Sequence, residues 1–143
     1  MQALSTVGEL PIGIPVSAIR RVFYAHGAEV FGDRGPLEIS FTDGQIFVID
    51  RDVTGERIRI TSGPWKDHSD SPMTISYQEF VRKSGQWEVF DLSRNVWSYH
   101  ELVGHALEKV SMATPDELEL LINLTIVRAR AIADDLFVDF RDA

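Results

Sequence analysis

Hydrophobic and polar residues alternate most regularly in the stretch of residues 37–60. Its first part, LEISF (37–41), places apolar side chains at every second position, which is the period of a half-buried strand. Asp43-Gly44 follows, and an Asp-Gly pair readily adopts the positive φ angles of a two-residue hairpin turn. The β-branched and aromatic residues of 46–49 and the renewed alternation of 57–60 continue the pattern. The stretch therefore predicts three antiparallel strands.

The last third of the chain fits two different structures. Residues 98–101 (SYHE) and 114–117 (TPDE) both match the capping box that opens a helix. Apolar residues then recur at helical spacing from 118 to 140. A strand is equally visible, because residues 118–126 also carry apolar side chains at alternating positions. The local pattern alone leaves a helical hairpin and a β structure open.

A repeated order of short patterns favours the β interpretation. The spacing Gly-x-x-apolar-x-x-apolar occurs twice, at Gly13, Val16 and Ile19 and again at Gly104, Leu107 and Val110. Three further pairs of segments follow in the same order: LEISF (37–41) with LELLI (118–122), QIFVIDRD (45–52) with TIVRARAI (125–132), and GERIRI (55–60) with DDLFVDF (134–140). Self-similarity of this kind is typical of repeated structural units. We therefore predict an internal repeat of residues 10–62 and 101–141.

The predicted fold is a single α+β domain spanning residues 1–143, dominated by antiparallel β structure and built from two related β-meander units. An N-terminal sheet followed by a C-terminal helical hairpin is the alternative. A chain of 143 residues with 44% hydrophobic and 10% aromatic residues fits one folded domain with its own core.

Composition narrows the functional classes. The chain has no cysteine, which excludes disulfides, thiol catalysis and cysteine-ligated metal sites. Its net charge of −8 disfavours nucleic acid and anionic membranes as partners, because phosphate groups are bound by clustered Lys and Arg. No apolar run approaches the roughly 20 residues that span a bilayer, and residues 1–13 lack the pattern of a secretory signal. We therefore expect a cytoplasmic protein with no membrane segment.

The repeated pattern also carries a family resemblance. A Gly-x-x-apolar-x-x-apolar run followed by a strand, a turn and a second strand resembles small uncharacterised bacterial domain families, over residues 13–60 and 104–140. Some of those families accompany polymorphic toxin systems as immunity proteins. The resemblance implies a small binding protein, and it carries over no catalytic residue.

Two patterns bear on metal binding, and neither predicts a site. His100, Glu101 and His105 are similar to a zinc-protease motif, which needs two histidines four residues apart on one helical face. Here the second histidine lies one residue too far along, about 140° from the first on a helix. Residues 50–55 begin like a calcium loop, but its twelfth position, where a bidentate Glu is needed, is Thr61. We expect no metal ion and no cofactor.

Loop residues and an acidic segment are the remaining candidates. Asp67, His68 and Asp70 place an imidazole between carboxylates, a combination suited to metal binding or proton transfer, although an ordinary solvated loop explains them equally. Trp65 lies beside them, and Trp is enriched at interface hot spots, although core packing explains most nearby aromatic residues. The carboxylates Asp134, Asp135 and Asp139 form either a docking surface for a basic partner or a solvated face.

Three functional hypotheses follow. The first is a small acidic cytoplasmic protein-binding module, immunity-like and non-catalytic, that occludes a more basic protein through Trp65 and the acidic C-terminal segment. The second is a small-molecule or metal-dependent enzyme with a site near Asp67 and His68. The third is a structural subunit that associates with itself through an exposed sheet edge.

Overall fold

Two antiparallel β-sheets account for most of the residues that the computed structural model describes, which are 3–5, 7–26, 29–31, 35–65, 86–91, 97–132 and 135–143. The strands are β1 (Ala3–Ser5), β2 (Val16–His26), β3 (Glu29–Phe31), β4 (Leu37–Phe41), β5 (Ile46–Arg51), β6 (Ile58–Ser62), β7 (Gln86–Asp91), β8 (Leu107–Thr114), β9 (Glu117–Ile122), β10 (Thr125–Ile132) and β11 (Asp135–Asp142). Helical structure in the described residues is limited to a 3-10 turn (Val7–Glu9) and one short helix, α1 (Trp97–His100). Neither of these is long and apolar enough to cross a membrane.

The N-terminal sheet holds seven of the described strands in the order β1-β6-β5-β4-β2-β3, with β7 on the other side of β2. Because β2 is long, it pairs with β4 and β3 along one side and with β7 along the other. β4, β5 and β6 are the three strands predicted for residues 37–60, and that prediction is confirmed. Gly44, at φ 91°, lies in the turn between β4 and β5.

The C-terminal sheet is a meander in which each strand pairs with the next, in the order β8-β9-β10-β11. Burial alternates along β9, so that Leu118, Leu120 and Ile122 face the interior and the residues between them are half-buried. β9 and β10 are joined by a two-residue turn, because Ile122 and Thr125 are directly opposed in the ladder. The sheet therefore has one buried face and one partly exposed face.

The predicted α+β class is wrong, and so is the alternative with a C-terminal helical hairpin. The described residues between 107 and 142 form four strands and their turns. Residues 118–122 have apolar side chains that fit either structure. As strand β9 they pack one face against the N-terminal sheet, while their backbone groups form hydrogen bonds with β8 and β10. This tertiary packing outweighs the local helix signals.

The two capping-box sequences lie where the chain makes short turns. In the second, the Thr114 hydroxyl donates to the Asp116 carboxylate (Oγ1–Oδ1 2.5 Å) instead of capping a helix, and the chain turns from β8 into β9. In the first, α1 does form, but it ends at His100, and Leu102 just beyond it is buried in the core. A capping box predicts a helical start, and it does not predict how far the helix continues.

Both sheets bury one face in a single hydrophobic core. The side chains that are almost fully enclosed there come from both halves of the chain: Val16, Ile19, Leu37 and Ile49 from the N-terminal sheet, and Leu107, Leu118, Ile122 and Leu136 from the C-terminal sheet. The domain is therefore held together by apolar contact between the sheets as well as by the strand ladders.

The two sheets meet where the chain enters β2 and β8, at residues 13–16 and 104–107, which we call the crossing. The amide of Gly13 donates to the carbonyl of Leu107 (2.7 Å), and the amide of Gly104 donates to the carbonyl of Val16 (2.8 Å). These bonds are reciprocal, because each residue and its counterpart are separated by 91 positions. Both glycines have φ 87°, a conformation that residues with a Cβ rarely adopt.

A second reciprocal pair completes the crossing. The amide of Val16 donates to the carbonyl of His105 (2.9 Å), and the amide of Leu107 donates to the carbonyl of Ile14 (3.2 Å). Pro15 and Ala106 form an isolated bridge between these bonds. The entry to each sheet is thus fixed by the entry to the other.

Contacts farther from the crossing are also reciprocal between the two halves of the chain. β5 approaches β10 and β11, whereas β10 approaches β5 and β6. The amide of Ile58, at the start of β6, donates to the carbonyl of Pro115 (2.8 Å), while the buried guanidinium of Arg21 in β2 donates to the carbonyl of Leu136 in β11. The internal repeat remains a prediction about the sequence, and these contacts are compatible with it.

Replacing either crossing glycine with alanine should destabilise the fold by about 1 kcal/mol, because a Cβ disfavours positive φ. An added Cβ would meet no atom within 4 Å at Gly13 or Gly104, so the loss is conformational and should be similar at both positions. Urea unfolding of Gly13→Ala and Gly104→Ala measures it.

The matched controls are Gly13→Asn and Gly104→Asn, which should lose less because Asn tolerates positive φ. A loss at one glycine and none at the other would contradict the reciprocal character of the crossing.

Candidate functional site

The partly exposed face of the C-terminal sheet brings charged and apolar side chains of three described strands together. We call it the outer face. It consists of the residues on β9, β10 and β11 that point away from the core: Glu117, Glu119, Leu121, Ile126, Arg128, Arg130, Ile132, Asp135, Phe137, Asp139 and Arg141. They form one surface because alternate residues of neighbouring strands point the same way.

An ion pair between β10 and β11 lies at the centre of the outer face. Arg128 donates to Asp139 through Nη2 (to Oδ2, 2.8 Å) and through Nε (to Oδ1, 3.1 Å), a two-point contact. Nη1 of Arg128 also lies 3.4 Å from Oε1 of Glu117 on β9. The hydrogen bond with Asp139 is the main reason that the pKa of Arg128 is raised above its usual value. Arg128 therefore connects three strands.

Two further arginines extend this network. Nη2 of Arg130 lies 3.6 Å from Oδ2 of Asp139, so two cations share this carboxylate. Nη2 of Arg141 donates to Oε1 of Glu119 (3.0 Å), across from β11 to β9. Pairs this exposed contribute little stability one by one, but together they restrict the side chains to defined positions.

Apolar side chains lie among these charges. Leu121, Ile126 and Phe137 are half-buried on the outer face, and Ile132 is 44% exposed. Arginine and aromatic residues are enriched at protein–protein interfaces, and the carboxylates among them are typical of the polar rim of an interface.

The surroundings of the outer face are acidic. Residues 97–143 contain nine Asp and Glu against four Lys and Arg, so they carry −5 of the net charge of −8. Glu101, Glu108, Asp116 and Asp142 are exposed on this half of the molecule, with Lys109 as the exposed cation on β8.

A second charged cluster lies on the N-terminal sheet. The side chain of Glu38 on β4 is 1% exposed and accepts hydrogen bonds from Nε and Nη2 of Arg20 on β2 (2.7 and 2.8 Å). The backbone amide of Trp65 donates to the same carboxylate (Oε2, 2.9 Å). Val48, opposite Glu38 on β5, is also buried, although it points away from the core. This carboxylate is fully engaged within the fold, so we assign it a structural role.

The predicted partner-binding residues are only partly brought together. Asp139 lies at the centre of the outer face and is engaged by Arg128, and half-buried Asp135 lies opposite Ile132 on the same sheet. Trp65 belongs to the N-terminal half, is half-buried, and holds Glu38 through its amide. Asp134 lies outside the described residues.

The predicted ligand-site candidates Asp67, His68 and Asp70 also lie outside the described residues. His100 and His105, which the sequence excluded as a zinc pair, are both exposed. Within the described ranges, no group of three or more His, Asp or Glu side chains is arranged to hold a metal ion.

The calcium-like segment is a turn closed by its own side chains. Asp52 accepts hydrogen bonds at Oδ1 from the amide and the hydroxyl of Thr54 (3.0 and 2.6 Å), and these bonds lower its pKa, the hydroxyl bond most of all. Asp50, two residues earlier and still in β5, lies opposite Arg59, and burial raises its pKa. The two carboxylates therefore respond to the fold in opposite ways.

Sequence reasoning missed the two carboxylate–arginine contacts. Arg20 and Glu38 are 18 residues apart, and Arg128 and Asp139 are 11 apart, so their proximity depends on strand register. Charged residues at alternating positions of predicted neighbouring strands were the available signal, but a partner can be named only once the register is known.

No family model matches the chain, and comparison with curated proteins and with solved structures gives no match either.

Replacing Glu38 with Gln should cost about 2–3 kcal/mol of stability, because the buried carboxylate accepts hydrogen bonds from Arg20 and from the amide of Trp65, and the uncharged amide accepts them more weakly. The matched change on the outer face, Asp139→Asn, should cost at most about 1 kcal/mol, since that pair is open to solvent. Urea unfolding at neutral pH measures both. Equal losses would show that the difference in burial does not decide the strength of the two contacts.

Replacing Asp50 and replacing Asp52 with Asn should change the pH dependence of stability in opposite directions. Burial raises the pKa of Asp50 above the ordinary value of 3.8, so ionising it costs folding free energy as the pH rises through the folded pKa. Asp50→Asn should therefore gain stability relative to the wild type on going from about pH 3 to about pH 7.

Asp52 is the matched case. Its pKa is lowered, so it stabilises the fold above its unfolded pKa, and this contribution is lost as the pH falls through the folded pKa. Asp52→Asn should therefore lose stability relative to the wild type over the same rise in pH. Urea unfolding across the series tests both, and slopes of the same sign would contradict the assignment.

Proposed function

We propose that this chain is a small, non-catalytic, immunity-like protein-binding module that occludes a more basic protein partner. The outer face is the binding surface. The observation that carries the proposal is the network of Arg128, Asp139, Arg141 and Glu119, which holds charged groups in place around half-buried apolar side chains.

Pre-positioned charges suit a surface that becomes covered. Covering an unpaired charge is costly, because it loses its hydration without gaining a partner. On the outer face the carboxylate of Asp139 and the guanidinium of Arg128 already satisfy each other, so a partner can cover them without leaving either charge alone. The side chains also lose less conformational freedom on binding, because the network already restricts them.

The charge of the molecule supports a basic partner. Long-range attraction between an acidic and a basic protein raises the rate of association, and like charges suppress wrong partners. Most of the net negative charge belongs to the half of the chain that carries the outer face. A cytoplasmic location is part of the proposal, and the lack of cysteine is compatible with a reducing compartment.

The partner should be recovered by affinity purification of the tagged full chain from a lysate of its own source, at a ratio near one to one and with a basic isoelectric point. Its association rate should fall steeply as salt is raised, because screening removes the long-range attraction. Stopped-flow or surface-based kinetics at several salt concentrations measures this.

Charge reversal locates the surface. Asp135→Lys should slow association and weaken binding, whereas the control Glu56→Lys makes the same change of charge at an exposed turn of the N-terminal sheet and should have a smaller effect. Equal effects of the two variants would remove the outer face from the proposal, and a column that recovers no stoichiometric partner would overturn the proposal as a whole.

A further inference from the structure

The turn between β9 and β10 contains the only residues other than glycine with positive φ in the described part of the chain. Asn123 has φ 51° and Leu124 has φ 57°. Asn tolerates this left-handed conformation, but Leu does not adopt it readily, because its Cβ crowds the neighbouring carbonyl. The side chain of Leu124 is 75% exposed, so it receives little compensation from packing.

In the N-terminal sheet, the loop between β4 and β5 has glycine at its position of positive φ. There β4 and β5 are joined through Thr42, Asp43, Gly44 and Gln45, all of them exposed, with glycine at the position of φ 91°. This loop is longer than the two-residue turn between β9 and β10, and it joins two paired strands without a residue other than glycine at positive φ. Leu124 is costly in its backbone conformation and contributes little to the core, which points to a role outside the fold.

The tip that presents Leu124 is held in place by neighbouring segments. Nδ2 of Asn123 donates to the carbonyl of Glu101 (3.2 Å), just after α1. The amide of Ala143, just after β11, donates to the carbonyl of Leu124 (3.0 Å). Hydrogen bonds from both sides hold the backbone of the turn, which lowers the backbone entropy that would be lost on binding.

The segments that hold the tip carry two exposed carboxylates, Glu101 and Asp142, while the neighbouring Arg141 is paired with Glu119. Glu101 is exposed and bonded to Asn123 through its backbone, and exposed Asp142 lies directly opposite Thr125 at the start of β10. An apolar side chain with carboxylates on the adjoining segments matches an apolar pocket bordered by Lys or Arg. A second copy of this chain fits poorly, because each copy would bring the same carboxylates and a net charge of −8.

We propose that Leu124 is the anchor residue that this chain inserts into an apolar pocket, bordered by basic side chains, on its protein partner. The inference rests on the proposed function and names the residue that carries most of the affinity. Hot spots of this kind are single, well-placed side chains, and truncating one weakens binding strongly.

The test is a variant whose effects on stability and binding have opposite signs. Leu124→Gly relieves the positive φ, so its midpoint of urea unfolding should be at least that of the wild type. Its dissociation constant for the one-to-one partner should rise about ten-fold or more. The matched control is Val53→Gly, at another exposed turn with 88% exposure, which should leave binding within about two-fold of the wild type.

Each outcome decides a different point. A partner that binds Leu124→Gly as tightly as the wild type overturns the anchor and leaves the proposed function in place, whereas recovery of no partner overturns both. A lower unfolding midpoint for Leu124→Gly shows that the leucine serves the fold and overturns the inference. Sedimentation that shows a dimer of the wild type alone, lost in Leu124→Gly, assigns the residue to self-association instead.

Discussion

The rest of the structure depends on the crossing of residues 13–16 with residues 104–107. Backbone hydrogen bonds there connect the entry of β2 to the entry of β8, and each segment both donates and accepts. Such bonds place no demand on side chains except where φ is positive, which accounts for Gly13 and Gly104 at matching positions. The crossing fixes the starts of β2 and β8 relative to each other, and Val16 and Leu107 at these starts are both members of the core between the sheets.

β2, β4, β5 and β6 are paired in the same order as β8, β9, β10 and β11, but the sides of the two sheets that point away from the core differ in burial. Glu38 in β4 and Glu119 in β9 occupy the same place in the two matching segments, LEISF and LELLI. Glu38 is buried, pairs with the 40% exposed Arg20 and lies opposite the buried Val48, whereas Glu119 is half-buried and pairs with the exposed Arg141. The N-terminal sheet is thus closed on both sides at this point, and the C-terminal sheet is open on one. This difference makes the outer face the better candidate for a partner surface, since buried side chains such as Glu38 and Val48 are not accessible to a partner.

Part of this could be read from the sequence. Alternation and an Asp-Gly turn were sufficient for β4, β5 and β6, because both signals are local. The α+β class was wrong, since the capping-box sequences at 98–101 and 114–117 give local signals for helices that tertiary packing overrides. The contacts of the candidate site depend on strand register, and a shift of one residue would separate Arg128 from Asp139. Leu124 gave no signal at all, because in the run LINLTIV it looks like one more apolar strand residue.

The contrast between the turns at Gly44 and Leu124 shows what the proposed anchor residue costs in stability. A residue with a Cβ in the left-handed region costs about 1–2 kcal/mol, a sizeable fraction of the roughly 5–15 kcal/mol by which a domain is stable. In the N-terminal sheet the loop between β4 and β5 has glycine at its position of positive φ, so that loop does not carry this cost. In the C-terminal sheet the strained leucine occurs together with an open face and an excess of carboxylates. These features do not add to stability, and they lie in the half that is joined to the N-terminal sheet by the crossing and the shared core. A small domain can present exposed and strained residues to a partner only if the rest of the fold is stable enough to offset their cost.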